Sequence, residues 1–281
     1  MAGRKAKGPQ VHLPFPPERF LPYLTTTDIA ALPKDDALVI FPIASIEQHG
    51  PHLPIASDTI LGLTILGRAL ERLGPDVRAW VLPGLAYGKS NEHRGFAGTI
   101  SLSQATLAAV VGDVAQGVAD AGFRRLALVN SHGGNPPVLT YVARDVRQRT
   151  GLMVFPLFMF AMGVDYGEVS DEEAHWGTHA GEWETSALLA LAPELVHLDR
   201  AAQQAGAYPR YRSNIRHLTL RGSVTYAWLT SDVAATGTAG DPSLASLEHG
   251  ERIIEATIVR LAEVLAEMTT FEMPIPAGSD E

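Results

Sequence analysis

Ala37-Leu38-Val39-Ile40-Phe41-Pro42-Ile43-Ala44 runs directly into Ser45-Ile46-Glu47-Gln48-His49-Gly50-Pro51-His52-Leu53-Pro54-Ile55-Ala56-Ser57-Asp58. The first eight residues carry no charged or hydrogen-bonding side chain. A short, continuous apolar run of this kind marks a strand covered on both faces, as in a parallel sheet. The chain then opens into a loop that holds Glu47, His49, His52 and Asp58. A strand leaving the core usually turns through small polar residues; this one delivers two carboxylates and two imidazoles.

Working outward, strand-like and helix-like segments alternate. Residues 58–73 read as a helix through Ile60, Leu61, Leu63, Ile65, Leu66 and Leu70. Residues 79–82, 126–129 and 153–160 read as further strands, and 218–224 as a candidate one. Residues 103–121 predict a helix with Ser103 at its N-cap, and Pro136-Pro137 opens another. A helix over 182–191 stops at Pro193, and 246–268 form a long amphipathic one. The β-α-β-α order predicts an α/β fold: a single-domain three-layer sandwich around a mostly parallel sheet. Residues 1–20 are expected to form a loose N-terminal arm, 21–272 the domain and 273–281 a C-terminal tail. Residues 199–241 are less regular and are read as an excursion covering a site or a partner subunit.

The chain has 281 residues, 46% hydrophobic and 19% charged, which is too apolar for disorder and long enough for a sizeable core. Its net charge of −9 argues against a broad nucleic-acid-binding surface. The absence of cysteine excludes disulfides, thiolate metal sites and cysteine nucleophiles. The N-terminal stretch lacks a signal peptide's apolar region, and no uncharged apolar run reaches the ~18 residues of a membrane span. The expectation is a cytoplasmic protein acting on a small molecule, with neither nucleic acid nor membrane as partner.

Six of the ten histidines gather in four clusters: His49 with His52, His93, His132, and His175 with His179. Loops at the carboxyl ends of parallel strands converge on one crevice, so these clusters can meet in space. In extended chain Glu47 and His49 point the same way, and Asp58 stands at the mouth of the next helix. Glu92 and His93 are candidate substrate contacts. Ser131-His132-Gly133-Gly134 is a Gly-rich strand-to-helix turn without the phosphate-binding G-x-G-x-x-G or a P-loop lysine. Val129 stands where a serine nucleophile elbow needs glycine. His132 as a metal ligand fits better, with Ser131 as a neighbouring substrate contact. The segment from His175 to Glu184 is not H-E-x-x-H. Glu182 and Glu184, two apart, lie on different helix faces, so one turns inward. Trp176 or Trp183 is expected to wall a substrate pocket.

Glu47, His49, Asp58, His132 and one of the two glutamates make five ligands, three of them carboxylates. That is more than one catalytic zinc usually takes. Two divalent ions (Zn, Mn or Fe) sharing a bridging Asp58 accommodate the set. His179, outside it, would move protons to a leaving group.

Three segments together resemble the creatininase (creatinine amidohydrolase) family: Glu47-Gln48-His49-Gly50-Pro51-His52-Leu53-Pro54 with Asp58, Asn130-Ser131-His132-Gly133-Gly134-Asn135, and His179-Ala180-Gly181-Glu182-Trp183-Glu184-Thr185-Ser186. The resemblance implies a creatininase-like α/β sandwich, often a homohexamer, that hydrolyses C–N bonds in cyclic amides and formamides. It implies Glu47 and His132 on one metal, His49 and Glu184 on the other, Asp58 bridging and His179 transferring protons. Glu182 then becomes a substrate contact or a side chain that supports the ligands from behind. His132-Gly133-Gly134 departs from the H-x-E of creatininase itself and is more similar to the formamide deformylase and mycofactocin-peptide protease branches. The expected function is a dinuclear metal-dependent amidohydrolase of a small polar cyclic amide or formamide, acting on C–N bonds other than ordinary peptide bonds. The alternatives are a ring-opening hydrolase of a cyclic ketone such as an oxidised inositol, a small-peptide metalloprotease, and a non-catalytic metal-dependent scaffold.

Overall fold

A computed structural model of the chain describes residues 14–167, 169–209, 214–220 and 224–273. The strands are β1 (Leu38–Ile43), β2 (Ala79–Val81), β3 (Arg125–Asn130) and β4 (Met153–Phe158). They form one parallel sheet in the order β2-β1-β3-β4. The helices are α1 (Thr26–Ala31), α2 (Ser57–Glu71), α3 (Gln104–Asp120), α4 (Pro136–Thr150), α5 (Asp171–Trp176), α6 (Glu182–Leu191), α7 (Leu198–Ala201), α8 (Thr230–Val233) and α9 (Leu247–Thr270). Ser103 caps α3 and Ser246 caps α9, each accepting a backbone N–H from three residues on.

The period-two geometry of a strand divides the core in two. Leu38, Ile40, Ala127 and Val129 face the layer made by α2, α6 and α9. Val39, Phe41, Ile43, Leu126 and Leu128 face α3 and α4. This is the three-layer sandwich expected, and it explains why β1 has no polar position. Each Leu or Ile buried there stabilises the fold by about 1.5–3 kcal/mol. β1 and β3 run in register from Leu38 opposite Arg125 to Ile43 opposite Asn130. Their loops therefore leave the carboxyl end of the sheet side by side, which brings the Glu47 and His132 segments together.

One reading needs correction, and another falls partly outside the described residues. Residues 14–20, expected in a loose arm, pack onto the domain: Phe15 and Phe20 are buried, and Phe20 bridges to Val81, the last residue of β2. Gly67 admits this segment, since a Cβ there would lie 1.7 Å from the Pro14 carbonyl oxygen. The arm's residues 1–13 and the tail's 274–281 lie outside the described residues. The strand expected over 218–224 falls partly on residues 221–223, also outside them; among the described residues beside these, Thr219 bridges Thr225. None of the described helices is long and apolar enough to cross a membrane.

Candidate metal centre

Each loop is fixed before it presents a ligand. Asp58 sits in the first turn of α2, where Ser45 Oγ donates to its Oδ2 at 2.5 Å. After β3, Asn130 Oδ1 accepts the His132 N–H at 3.1 Å, and Asn130 Nδ2 donates to the His132 carbonyl at 2.7 Å. Asn135 then joins three segments, donating to Ala44 O at 3.1 Å and accepting from Lys89 N at 2.9 Å. Gly134 is required beside them, because a Cβ would stand 2.5 Å from His132 Nε2. Before α6, Ala180 adopts φ 52, a left-handed conformation rare for a residue with a Cβ. That turn lets Glu184 Oε2 accept the Ala180 N–H, which holds Glu184 beside His179.

The donor atoms form three overlapping groups, with ligand atoms in each within 4.8 Å of one another: Glu47, Asp58 and His132; His49, His179 and Glu184; Glu47, His93 and His179. His132 Nδ1 lies 3.2 Å from Glu47 Oε2 and 3.1 Å from Asp58 Oδ2. His49 Nε2 lies 3.7 Å from Asp58 Oδ1. Asp58 thus turns one oxygen to each side, as a bridging carboxylate does. Two ligand atoms on one tetrahedral zinc stand about 3.3–3.6 Å apart, close to these separations.

Two further observations fit a metal pair. Among the described residues, Glu47 Oε2 and His49 Nε2 are buried without a hydrogen-bond partner. Moreover, three rings each spend one nitrogen on a backbone carbonyl: His132 Nε2 on Lys89 O at 3.0 Å, His49 Nδ1 on Glu47 O at 3.1 Å and His179 Nε2 on Gln48 O at 2.6 Å. A carbonyl only accepts, so that nitrogen carries the proton and the other aims its lone pair at the carboxylates. For His49 and His132 this is how an outer hydrogen bond orients a metal-binding histidine; for His179 it leaves Nδ1 as the basic nitrogen. The electrostatics agree. Burial alone would raise the carboxyls of Glu47 and Asp58, but the facing imidazoles hold both below the ordinary range. Burial would lower His49 and His132, yet the carboxylates push His49 up to about 9 and His132 well above its usual value. The cluster calls for positive charge.

The centre forms the floor of a cavity of about 730 Å³. Glu47, Asp58, Glu92, His93, Ser131, His132, His179 and Glu184 line it. Two expected substrate contacts, Trp176 and Glu182, lie off the cavity. Trp176 packs into a small core with Tyr208, Leu220 and Val233, and Trp183 with Trp228 walls the cavity instead. Glu182 faces away, its Oε1 3.1 Å from His249 Nδ1 on α9. Ser131 lines the cavity but spends its hydroxyl on Asp58 O at 2.9 Å. His52 also faces away, paired with Thr185 Oγ1 at 3.0 Å, and burial pushes it down to about 4.

Sequence reasoning missed several residues. Gln48 and Thr230 hold His93, and Glu173 fastens the start of α6. Only the Gln between two ligands of the first loop gave any signal. Trp228 lay in the excursion 199–241, whose irregularity hid its part in the wall.

A family model described as creatininase, creatinine amidohydrolase, matches residues 22–265. The chain is 34% identical over 253 residues to a mycofactocin precursor peptide peptidase of Mycobacterium ulcerans (strain Agy99), covering 88% of this chain and 91% of the relative. It is 31% identical to a creatinine amidohydrolase of Pseudomonas putida, covering 83% and 90%. A manganese form of creatininase superposes with TM-score 0.70 at 28% identity, over 90% of this chain and 99% of the other.

Proposed function

The chain belongs to the creatininase family, and on that premise we propose that it is a dinuclear metal-dependent hydrolase of an amide C–N bond. The observation that carries this reading is Asp58, whose two oxygens face two separate donor groups, each holding a buried, unpartnered ligand atom. Glu47, Asp58 and His132 would hold one ion; His49, Asp58 and Glu184 would hold the other. Divalent ions so held supply a water with its pKa lowered to about 7 and a Lewis acid for the substrate carbonyl.

The chain's own side chains do the rest. Ser45 fixes the bridging carboxylate. His179, protonated at Nε2 by its bond to Gln48 O, has Nδ1 free to take a proton and return it to the departing nitrogen. Trp183 is held edge-on by Phe160, ring centroids 4.5 Å apart, and with Trp228 forms an apolar wall that excludes water.

The cavity favours a substrate larger than one small ring. At about 730 Å³ it falls within the about 300–1,000 Å³ that encloses a drug-sized ligand. A short peptide therefore suits it, and this reading is supported by the peptidase relative. The test is metal analysis of the purified protein, joined to a hydrolysis screen of creatinine, N-formyl amines, a cyclic ketone and short peptides. About two ions per chain and turnover of an amide are expected. Turnover confined to the ketone, or none on any substrate, would overturn the proposal.

A further inference from the structure

His93 meets the centre in a way that the ligand roles above do not use. Its Nε2 lies 3.3 Å from Glu47 Oε1, and its ring stacks at 4.2 Å, tilted, on that of His179. Distance alone allows three roles: metal ligand, substrate contact, or hydrogen-bond donor to Glu47. The far side of the ring decides among them.

His93 Nδ1 is 2.8 Å from Gln48 Nε2 and 2.9 Å from Thr230 Oγ1. The orientation of the Gln48 amide is fixed independently. Its Oε1 accepts the Gly50 N–H at 2.9 Å, and its Nε2 donates to Gly237 O at 3.1 Å. Flipping it would set a carbonyl oxygen against Gly237 O and an amide N–H against Gly50 N–H. The atom facing His93 is therefore an –NH₂, which only donates. His93 Nδ1 must accept, and in the neutral ring the proton then resides on Nε2. The Thr230 hydroxyl can rotate to donate to the same nitrogen. A ring with hydrogen on Nε2 has no lone pair there to give to a cation.

We propose that His93 is a positioning residue: its Nε2–H holds Glu47 Oε1, so that Glu47 presents Oε2 alone to the ion shared with Asp58 and His132. Glu47 Oε2 is the oxygen left buried and unpartnered, and it is the one 3.2 Å from His132 Nδ1. The segment 199–241 supplies both ends of the clamp, Thr230 from α8 and the Gly237 carbonyl. Gly237 has φ 90, and a Cβ on it would stand 1.9 Å from Gln48 Oε1, so the backbone is drawn tight against this amide. That segment thus assists a ligand from β1's loop without being one.

The inference rests on the dinuclear reading but is tested apart from turnover. Metal-stripped wild type, His93→Leu, His93→Gln and Gln48→Met are titrated with zinc and with manganese against a chelating indicator, and ions are counted per chain. Circular dichroism before titration establishes folding. His93→Leu should weaken one ion about 10–100-fold and leave the other unchanged. His93→Gln, whose amide N–H can reach the same oxygen, should recover affinity to within about threefold of wild type. Gln48→Met should weaken the same ion by a smaller factor, and it carries the test if His93→Leu does not fold. Equal losses in the Leu and Gln variants would make His93 a ligand or mere packing, and no loss in either would remove its role; both results overturn the proposal. A wild-type chain that binds a single ion would overturn the dinuclear reading, while the Leu-to-Gln contrast on that ion would still decide the role of His93.

Discussion

Replacing Glu173 by Ala should loosen the centre from outside it. Glu173 lies on α5, and its carboxylate receives three donors from three segments. Oε1 accepts from Glu182 N at 3.0 Å, at the start of α6; Oε2 accepts from Tyr208 OH and Asp241 N, both at 2.9 Å. Gly177, Gly181 and Gly240 crowd the same carboxylate, and a Cβ on any of them would come within 3.0 Å of it. Burial pushes the Glu173 carboxyl up, and the three hydrogen bonds only partly reverse this. Its ionised form is therefore not a net source of stability. Its removal, however, orphans three donors at about 1–3 kcal/mol each. Because the residue borders the cavity, water can reach the vacated space, and a loss of about 3–5 kcal/mol is expected. For a chain of this size that lowers the melting temperature by about 5–10 °C. The start of α6 carries Glu184, so affinity for one ion should fall too. Glu173→Gln should lose somewhat less, since its amide keeps one acceptor but turns an –NH₂ towards donors. The pH dependence has a definite sign. A carboxyl raised in the folded state contributes fully below its unfolded value of about 4.3 and loses that contribution as pH rises through its folded value. The stability gap between wild type and Glu173→Gln should therefore shrink from acid towards neutral pH in urea titrations. An alanine variant melting within about 2 °C of wild type would refute the reasoning.

Four other outcomes follow from the geometry. Asp58→Asn removes the charge that both donor groups share, so equilibrium dialysis should show both ions lost; retention of one would end the bridging assignment. Stripping the metal with a chelator should lower stability by about 3 kcal/mol for each site that had been filled at 100 times its Kd, read as a fall in melting temperature. His179→Ala should keep two ions and its fold while hydrolysis drops by about 10²–10⁴-fold; loss of an ion would make His179 a ligand through Nδ1. Gly67→Ala forces a methyl into the Pro14 carbonyl and should displace residues 14–20, costing about 1–3 kcal/mol and opening that segment to limited proteolysis.

The residues of this centre differ in how far a sequence can show them, and the difference follows from what each one does. Glu47, His49, Asp58 and His132 stand out because they break a local pattern. Each is a strong ligand type just past a buried strand or at a helix mouth, where nothing about packing asks for it. The choice between Glu182 and Glu184 was already less legible. Helical spacing separates the two onto different faces, but which face turns inward depends on the left-handed turn at Ala180 and on His249, more than sixty residues away on α9. Trp176 and Trp183 pose the same difficulty. The six-residue helix α5 was too short to announce itself, and without its axis the direction of Trp176 had no reference. Gln48, Glu173 and Thr230 were least legible because their work is complementary. Gln48 is needed only because Gly237 O and His93 Nδ1 both face it as acceptors, 189 and 45 residues along the chain. Local propensity carries no trace of such a pairing. An acceptor or donor chosen to match a distant partner becomes readable only when the fold has brought the two together, and that is why the groups that aim the ligands were harder to see than the ligands themselves.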